Sequence, residues 1–202
     1  MLVKLNIHST MKTLPYRSQS GFTLVELLVV ITIIAVLAGA GFAAGNAAIQ
    51  RAKKATALAT ATAIESAISN FYIEYGAMPT EASGDSDAKA VATTDTALLK
   101  VLLGVETGTN TLNTRNIKFL SVREGKAKKN GLIYDSTGTT IEGLYDPWGG
   151  PFWVVMDGSY DEKVEVDTVA AEAITLNGRR SAVWSDGANK TKEGGNDDVK
   201  TW

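Results

Sequence analysis

The sequence predicts an α+β protein in which a long N-terminal helix, membrane-spanning in its first half, packs on a small antiparallel sheet. Three observations support this fold class. Residues Leu27 to Ala48 form an uncharged run of 22 residues. A second apolar pattern, with helical spacing, continues from Arg51 to Tyr75 without a proline or a glycine. The last third of the chain contains short β-prone segments next to Asp-Gly and Asn-Gly turn pairs.

The first 21 residues have the composition of a leader that precedes a membrane helix. They contain Lys4, Lys12 and Arg17 and neither Asp nor Glu. As a helix, the uncharged run that follows spans roughly 33 Å, which is about the thickness of the hydrocarbon layer of a membrane. A secretory signal peptide, cut near Ala38-Gly39-Ala40, is the alternative, but its apolar region would be only about 7 to 15 residues long.

Composition excludes several classes of function. The chain has 202 residues, 20 Lys and Arg against 22 Asp and Glu, and a formal net charge of −2. It therefore lacks the basic excess of a protein that binds nucleic acid through a broad face. It contains no Cys, and its only histidine is His8 in the leader. Without the leader, the chain can build neither a Ser-His-Asp triad nor a Cys-His pair nor a His-ligated zinc site.

Glu26 is the only charged residue between Phe22 and Arg51. A carboxylate in hydrocarbon costs about 3 kcal/mol even on lenient insertion scales, so a partner is expected. If the chain were cut after Gly21, the new amine of Phe22 would lie four residues, about one helical turn, from Glu26. That amine, on the same or a neighbouring chain, is the predicted counter-charge. The alternative is a carboxylate at the membrane surface with no partner.

The second half of the long helix is predicted to be amphipathic. Its apolar residues recur at spacings of four, three and four, which places them on one face. These residues are Ile64, Ile68, Phe71 and Tyr75. We expect this face to contact the core, and we expect the helix to end before Gly76 and Pro79.

The remaining head is predicted to hold one short helix and two hairpins. The pattern indicates a surface loop over Thr80 to Thr96, a helix over Thr96 to Gly104, and a solvated basic face over Lys118 to Lys129. The hairpins pair Phe152 to Met156 with Lys163 to Val169, and Ala173 to Leu176 with Ser181 to Trp184. Trp148, Phe152, Trp153 and Tyr160 are predicted to supply much of the core.

The chain's last segment is an acidic loop rich in glycine. Asp186, Glu193, Asp197 and Asp198 lie within Ser185 to Trp202. A hard cation such as Ca²⁺ prefers six to eight oxygen ligands, often carboxylates mixed with backbone carbonyls. The loop is not an EF-hand, because the regular Asp-x-Asp-x-Asp-Gly frame is missing. From acidity alone, a solvated loop remains the simpler interpretation.

The residues Gly21-Phe22-Thr23-Leu24-Val25-Glu26, between a basic leader and an apolar helix, resemble the processing motif of type IV pilins and type II secretion pseudopilins. The resemblance implies that a membrane-embedded prepilin peptidase cuts after Gly21 and methylates the new N-terminal Phe22. It also implies that Glu26, the fifth residue of the mature chain, sets the register when subunits assemble. The leader would then lie in the cytoplasm and the head outside.

Two further stretches resemble the major pseudopilin of type II secretion. Asp146-Pro147-Trp148-Gly149-Gly150-Pro151-Phe152 is similar to its Asp-Pro-Trp-Gly-Asn-Pro-Tyr stretch, with departures at Gly150 and Phe152. The C-terminal order of Val183 to Gly187, Glu193 to Gly195, Asp198-Val199 and Trp202 is similar to its calcium loop. The resemblance implies a structural calcium site whose ligands are Asp186 and Asp198 first, then Asp197 and Val183. The stretch between Gly195 and Asp197 is shorter than in that family.

Taken together, the resemblance implies a non-enzymatic subunit that polymerises into a periplasmic pseudopilus. The predicted regions are a leader over 1–21, a transmembrane and polymerisation segment over 22–50, and a soluble head over 51–202. Implied partners are further copies in a helical filament, other pseudopilins, the prepilin peptidase, and an inner-membrane assembly platform with its ATPase. A pilin or minor pseudopilin of a surface fibre for adhesion, motility or DNA uptake is one alternative, and a membrane-anchored, calcium-dependent binding module is another.

Overall fold

The computed structural model describes residues 21–80, 90–167, 173–191 and 197–202, apart from the side chains of Ala43, Asp167 and Ala173. The leader residues 1–20, the loop residues 81–89 and Glu193 lie outside the described residues. The chain forms two compact units, one up to Gly45 and one from Asn46 onward. The predicted boundaries of leader, membrane segment and head remain predictions.

One long helix, α1, spans Leu24–Tyr75. In the first unit its apolar side chains have no cover from the described part of the chain, with exposed fractions from 45% at Val30 to 80% at Leu24. Within the described residues, α1 is the one helix that is long and apolar enough to cross a membrane. This half of α1 therefore needs lipid or other protein chains around it.

In the second unit, α1 presents the predicted apolar face to the core. Ile64, Ile68 and Phe71 are fully buried, which confirms the face. Tyr75 is half-buried, and its hydroxyl donates to Asn113 Oδ1 at 2.8 Å. The helix ends before Gly76, whose φ of +69° suits glycine.

The remaining elements form the head. They are β1 (Val91–Ala92), α2 (Thr96–Leu103), β2 (Gly131–Tyr134), β3 (Ile141–Tyr145), β4 (Phe152–Met156), β5 (Lys163–Asp167), β6 (Ala173–Asn177), β7 (Ser181–Ser185) and β8 (Val199–Lys200). The predicted α2 is confirmed, with Asp95 as N-cap and Gly104, at φ 68°, as C-cap. Part of the predicted surface loop before it is instead β1, which pairs with β4. Thr93, which follows β1, is buried.

A four-stranded antiparallel sheet in the order β1-β4-β7-β8 is the centre of the head. Its two faces are both covered. On one face Phe152, Val154 and Val183 pack with the buried face of α1. On the other face Val155, Ala182 and Trp184 pack with Val164 and Val166 of β5. These contacts give three layers, and they confirm the α+β class.

The predicted hairpin pairing was wrong. β4 pairs with β7 over five residue pairs, whereas β5 pairs with β6. The reason lies in the burial pattern: β4 and β7 are apolar on both faces and form the middle of the sheet, while β5 alternates apolar and charged residues and covers one face. Tyr160 was also wrongly predicted as core, because 51% of it is exposed.

Arg179, between β6 and β7, joins three parts of the head. Its Nη1 atom donates to Glu65 Oε1 of α1 at 3.0 Å and to the Thr201 carbonyl at 3.1 Å. A guanidinium fits two acceptors at once because its donors have a fixed planar arrangement. The contacts fix the residues after β8 against α1.

Candidate functional site

The beginning of α1 is closed by a reciprocal hydrogen-bonded cap. Thr23 Oγ1 and the Thr23 backbone N–H both donate to Glu26 Oε2, at 2.7 and 2.9 Å. In return, the Glu26 N–H donates to Thr23 Oγ1 at 3.2 Å. This is a capping box, in which the cap residue and the residue three positions later satisfy each other's free donors.

The capping box gives Thr23 a role that was not predicted from the sequence. Thr-x-x-Glu directly before an apolar run is a recognised sequence signal for a helix start, and Thr23 to Glu26 contains it. In the chain that still carries its leader, Glu26 is partnered by Thr23, and Phe22 has no free amine. Gly21 and Phe22 precede the helix, and Phe22 is exposed. An exposed, non-helical peptide bond is the kind that a peptidase can reach.

A buried aspartate organises the Asp146 to Gly150 turn. Asp146 Oδ1 accepts hydrogen bonds from the backbone N–H groups of Trp148, Gly149 and Gly150 at 2.7–2.8 Å. Asp146 Oδ2 accepts from the Ser185 hydroxyl at 2.6 Å. Both carboxylate oxygens are thus satisfied although the residue is 1% exposed. This stretch contains two prolines and two glycines, but its sequence gives no sign of the buried carboxylate's role.

This turn links the helix to the C-terminal loop. The Trp148 indole Nε1 donates to Gln50 Oε1 of α1 at 3.1 Å. At the other side, Ser185 Oγ accepts from the Gly187 N–H at 3.1 Å. The backbone at Gly187 has φ +70°, and a Cβ there would lie 2.4 Å from the Asp197 carbonyl oxygen. Only glycine permits this close approach, so the two ends of the C-terminal loop are held together.

Two carboxylates of that loop have buried oxygens without a partner. Asp186 follows β7, and its Oδ2 accepts from the Trp153 indole at 2.8 Å. Asp198 precedes β8, and its Oδ2 lies 3.5 Å from Lys200 Nζ. The other oxygen of each, Oδ1, is buried and has no hydrogen-bond partner. Such atoms require an explanation in a folded protein, and a bound cation supplies one.

The charge of Asp198 is poorly compensated. Its side chain is only 5% exposed. Burial raises the pKa of Asp198 above its ordinary value, Lys200 lowers it, and the nearby Asp197 and Asp186 carboxylates raise it further. The pKa remains raised overall, so the charged form lacks a sufficient counter-charge.

The other two predicted ligands have partners within the protein. Asp197 accepts from the Asn189 N–H and from Asn189 Nδ2 at 3.0 and 3.2 Å. Val183 lies within β7, and its carbonyl accepts from the Thr201 N–H at 3.1 Å. Among the described residues, no three acidic or histidine side chains form a group that could hold a metal ion. A cation here would need backbone carbonyls and water beside Asp186 and Asp198.

Comparisons with known proteins agree with the N-terminal geometry. The model of the prokaryotic N-terminal methylation motif matches residues 16–42. The fimbrial protein EcpC of Eikenella corrodens is 30% identical over 127 residues, which cover 63% of this chain and 79% of that protein. The chain belongs to the type IV pilin-like family.

Two further relatives of this pilin-like protein are from Neisseria. The type IV major pilin protein PilE of Neisseria gonorrhoeae is 31% identical over 116 residues, or 56% of this chain and 66% of that protein. A fimbrial protein of Neisseria meningitidis serogroup B is 30% identical over 114 residues, or 56% and 65%. No solved structure matches the chain. The pilin-like protein is a structural subunit and not an enzyme.

We expect Asp146→Ala to destabilise the head of this pilin-like protein strongly. It leaves three backbone donors without an acceptor, and each unsatisfied buried group costs about 1–3 kcal/mol. Asp146→Asn should cost less, because its carbonyl can still accept from the three N–H groups and its amide can donate to Ser185. The measurement is tryptophan-detected chemical unfolding of the full chain in detergent.

The matched control is Asp135→Ala. Asp135 also holds a turn, accepting from the Thr139 and Thr140 N–H groups at 3.1 Å, but those partners are exposed and water can replace it. An equal loss of stability in Asp146→Ala and Asp135→Ala would contradict the proposed role of the buried carboxylate.

Proposed function

We propose that this protein is a subunit that polymerises through the first half of α1 into the periplasmic pseudopilus of a type II secretion system, in the manner of a major pseudopilin. The main support is the bare apolar surface of that half, which begins directly after an exposed Gly21-Phe22 bond and a capped Glu26. A single copy cannot cover this surface. Lipid covers it while the subunit is stored, and neighbouring helices cover it in the filament.

The proposed assembly proceeds in three steps. A prepilin peptidase removes residues 1–21 in the inner membrane and leaves the Phe22 amine free. The assembly platform and its ATPase then extract the subunit, with the head in the periplasm. Finally, the apolar halves of neighbouring copies pack together, and the Phe22 amine meets the Glu26 carboxylate of an adjacent copy. This pairing lowers the cost of keeping Glu26 charged away from water.

We expect Glu26→Gln to reduce filament yield as strongly as Glu26→Ala. Gln removes the charge but still fits a capping box, in which the third residue is Glu or Gln. Thr23→Ala is the matched variant, because it removes the cap hydroxyl and keeps the charge. It should weaken the helix start by only about 1 kcal/mol and leave most of the assembly intact. Filaments are quantified after shearing, and the mass of the subunit verifies cleavage after Gly21. Normal yield in Glu26→Gln with a defect in Thr23→Ala would show that the carboxylate serves the cap alone.

We further propose that Asp186 and Asp198 hold a structural calcium ion through their unpartnered Oδ1 atoms. When bound, the ion supplies positive charge between the end of β7 and the start of β8. The chain's own contacts already bring these ends together through Gly187 and the Asp197 carbonyl. The ion would fix the C-terminal loop to the sheet. In other proteins a disulfide has this role, but this chain contains no cysteine and cannot form one.

We expect chelation of calcium to lower the melting temperature of the full chain in detergent. A ligand at a hundred times its dissociation constant stabilises the folded state by about 2.7 kcal/mol. Asp198→Asn should abolish the calcium response and raise the melting temperature without calcium, because it removes a buried charge whose pKa is raised. The exposed Asp161→Asn is the control and should retain the response. If chelation left the melting temperature of the unmodified protein unchanged, this would contradict the proposed structural calcium site.

A surface fibre is the second candidate function. The relatives named as a type IV major pilin and as fimbrial proteins favour it. The absence of cysteine from the sequence and the pair of unpartnered carboxylates favour the pseudopilus instead.

Disruption of the gene separates the two functions. A pseudopilus subunit is required for the release of secreted proteins into the medium, so we expect these proteins to accumulate inside the disrupted cells. Complementation with the intact gene is the control. Loss of sheared surface fibres with unchanged secretion would establish the surface fibre instead.

A further inference from the structure

A basic groove lies in the head between α1 and the loop before β2. It encloses about 520 Å³ and contains four cationic side chains, from Lys53, Arg123, Lys126 and Lys129, and one carboxylate, from Glu124. The sequence predicts a solvated basic face over Lys118 to Lys129. The structure adds Lys53 from the helix, so cations from two distant parts of the chain face one space.

The four cations have no carboxylate partner within ion-pair distance among the described residues, whereas the neighbouring Lys128 pairs with Glu142 at 3.3 Å. Arg123 uses its Nε to donate to the Asn130 carbonyl at 2.9 Å, which leaves its terminal nitrogens for another acceptor. Four cations beside a single carboxylate, Glu124, leave an excess of positive charge in the groove, and this excess attracts anions. The groove therefore has the electrostatics of an anion site.

The turn that presents these lysines has a disfavoured backbone. Lys126 and Lys129 exchange two backbone hydrogen bonds of 3.2 and 3.1 Å, and the two residues between them, Ala127 and Lys128, have φ of +52° and +55°. Such turns normally contain Asn-Gly, because other residues avoid positive φ. The rest of the head holds the turn in place: the Asn130 N–H donates to the Asp146 carbonyl at 2.7 Å. Strain that a fold maintains in this way often marks a functional segment.

The chain itself keeps this groove close to the membrane. Lys53 follows Ala48, which lies near the end of the predicted membrane segment, by five residues. Even a fully extended chain covers at most about 18 Å over five residues. Lys53 thus stays within that distance of the end of the membrane segment in any arrangement of the head. The exposed Arg51 lies nearer still.

We propose that this groove binds the phosphodiester headgroups of anionic phospholipids on the side of the membrane where the head lies. The unpaired cations favour an anionic occupant. The short chain between Ala48 and Lys53 keeps Lys53 near the membrane, and this favours a lipid over a soluble anion. Clusters of Lys and Arg beside a membrane helix are attracted to anionic lipid in this way. Bound lipid would hold the head of a stored subunit on the membrane surface until extraction. This inference rests on the membrane-stored state of the proposed function and is independent of the type of filament.

The test is a lysine footprint of the full chain in nanodiscs that contain one copy each. One set of discs is pure phosphatidylcholine, and the other contains about one third phosphatidylglycerol. A membrane-impermeant acylating reagent labels the lysines, and mass spectrometry gives the rate at each position. We expect labelling of Lys53, Lys126 and Lys129 to slow about fivefold in the anionic discs and to recover at high salt. The exposed Lys118 and Lys190, outside the groove, should be unaffected.

Paired variants provide the control. Lys126→Gln with Lys129→Gln should abolish the lipid-dependent protection of Lys53, while Lys118→Gln with Lys190→Gln, which removes the same charge, should retain it. Equal labelling in both kinds of disc would overturn the proposal. If soluble glycerol phosphate protected the lysines equally well, the partner would be a free anion, and the proposal would be overturned. If protection arose in neutral discs that contain several copies, the partner would be a second chain, and the proposal would likewise be overturned. Co-flotation with lipid reports membrane insertion separately, and a chain that failed to insert would overturn the membrane part of the proposed function together with this inference.

Discussion

An apolar helical surface that the chain cannot cover is the constraint on which the rest of this protein depends. The first half of α1 offers leucine, isoleucine and valine side chains that are each about half exposed or more. Water is an unfavourable environment for such a surface, so the helix needs an apolar environment, which in the proposed function is lipid before assembly and neighbouring copies after it. Glu26 is the only charged residue in this half of the helix, and its carboxylate accepts two hydrogen bonds from Thr23. The cap and the counter-charge are compatible roles, because a carboxylate has room for several donors.

The head is built to keep its own polar groups satisfied. Asp146 joins the turn before β4 to β7, Trp148 joins the same turn to α1, and Arg179 joins α1 to the residues after β8. These contacts connect residues that lie far apart in the sequence. Among the described residues, the buried Oδ1 atoms of Asp186 and Asp198 have no hydrogen-bond partner, and the cations around Lys126 have no ion-pair partner. In both places the head has charge for which the described chain supplies no sufficient partner.

Periodicity in the sequence was sufficient to predict both helices and the buried face of α1, because helical spacing directly records which side is covered. Strand positions in the last third were also predicted, but their pairing was not. β4 is apolar throughout and β7 is apolar between its two terminal serines, so nothing local shows that they pair with each other across the intervening β5 and β6. β2 and β3 were missed, because the Asn-Gly pair of this region, Asn130-Gly131, lies at the start of β2, whereas residues 135–140, which join the two strands, contain no such pair. The capping box was visible as Thr-x-x-Glu, whereas the roles of Asp146 and of Lys53 depend on contacts with distant residues that no local pattern records.

The central sheet ends on both sides in very short strands. β1 and β8 have two residues each. A longer, flat edge would offer a row of free N–H and C=O groups on which another chain could add a strand, which is the usual route to uncontrolled aggregation. Heads that lie close together in the proposed filament therefore have little means of joining through the edges of their central sheets. In the proposed filament, contacts between the helices join the subunits. The short edge strands of the central sheet hinder pairing between the sheets of neighbouring heads.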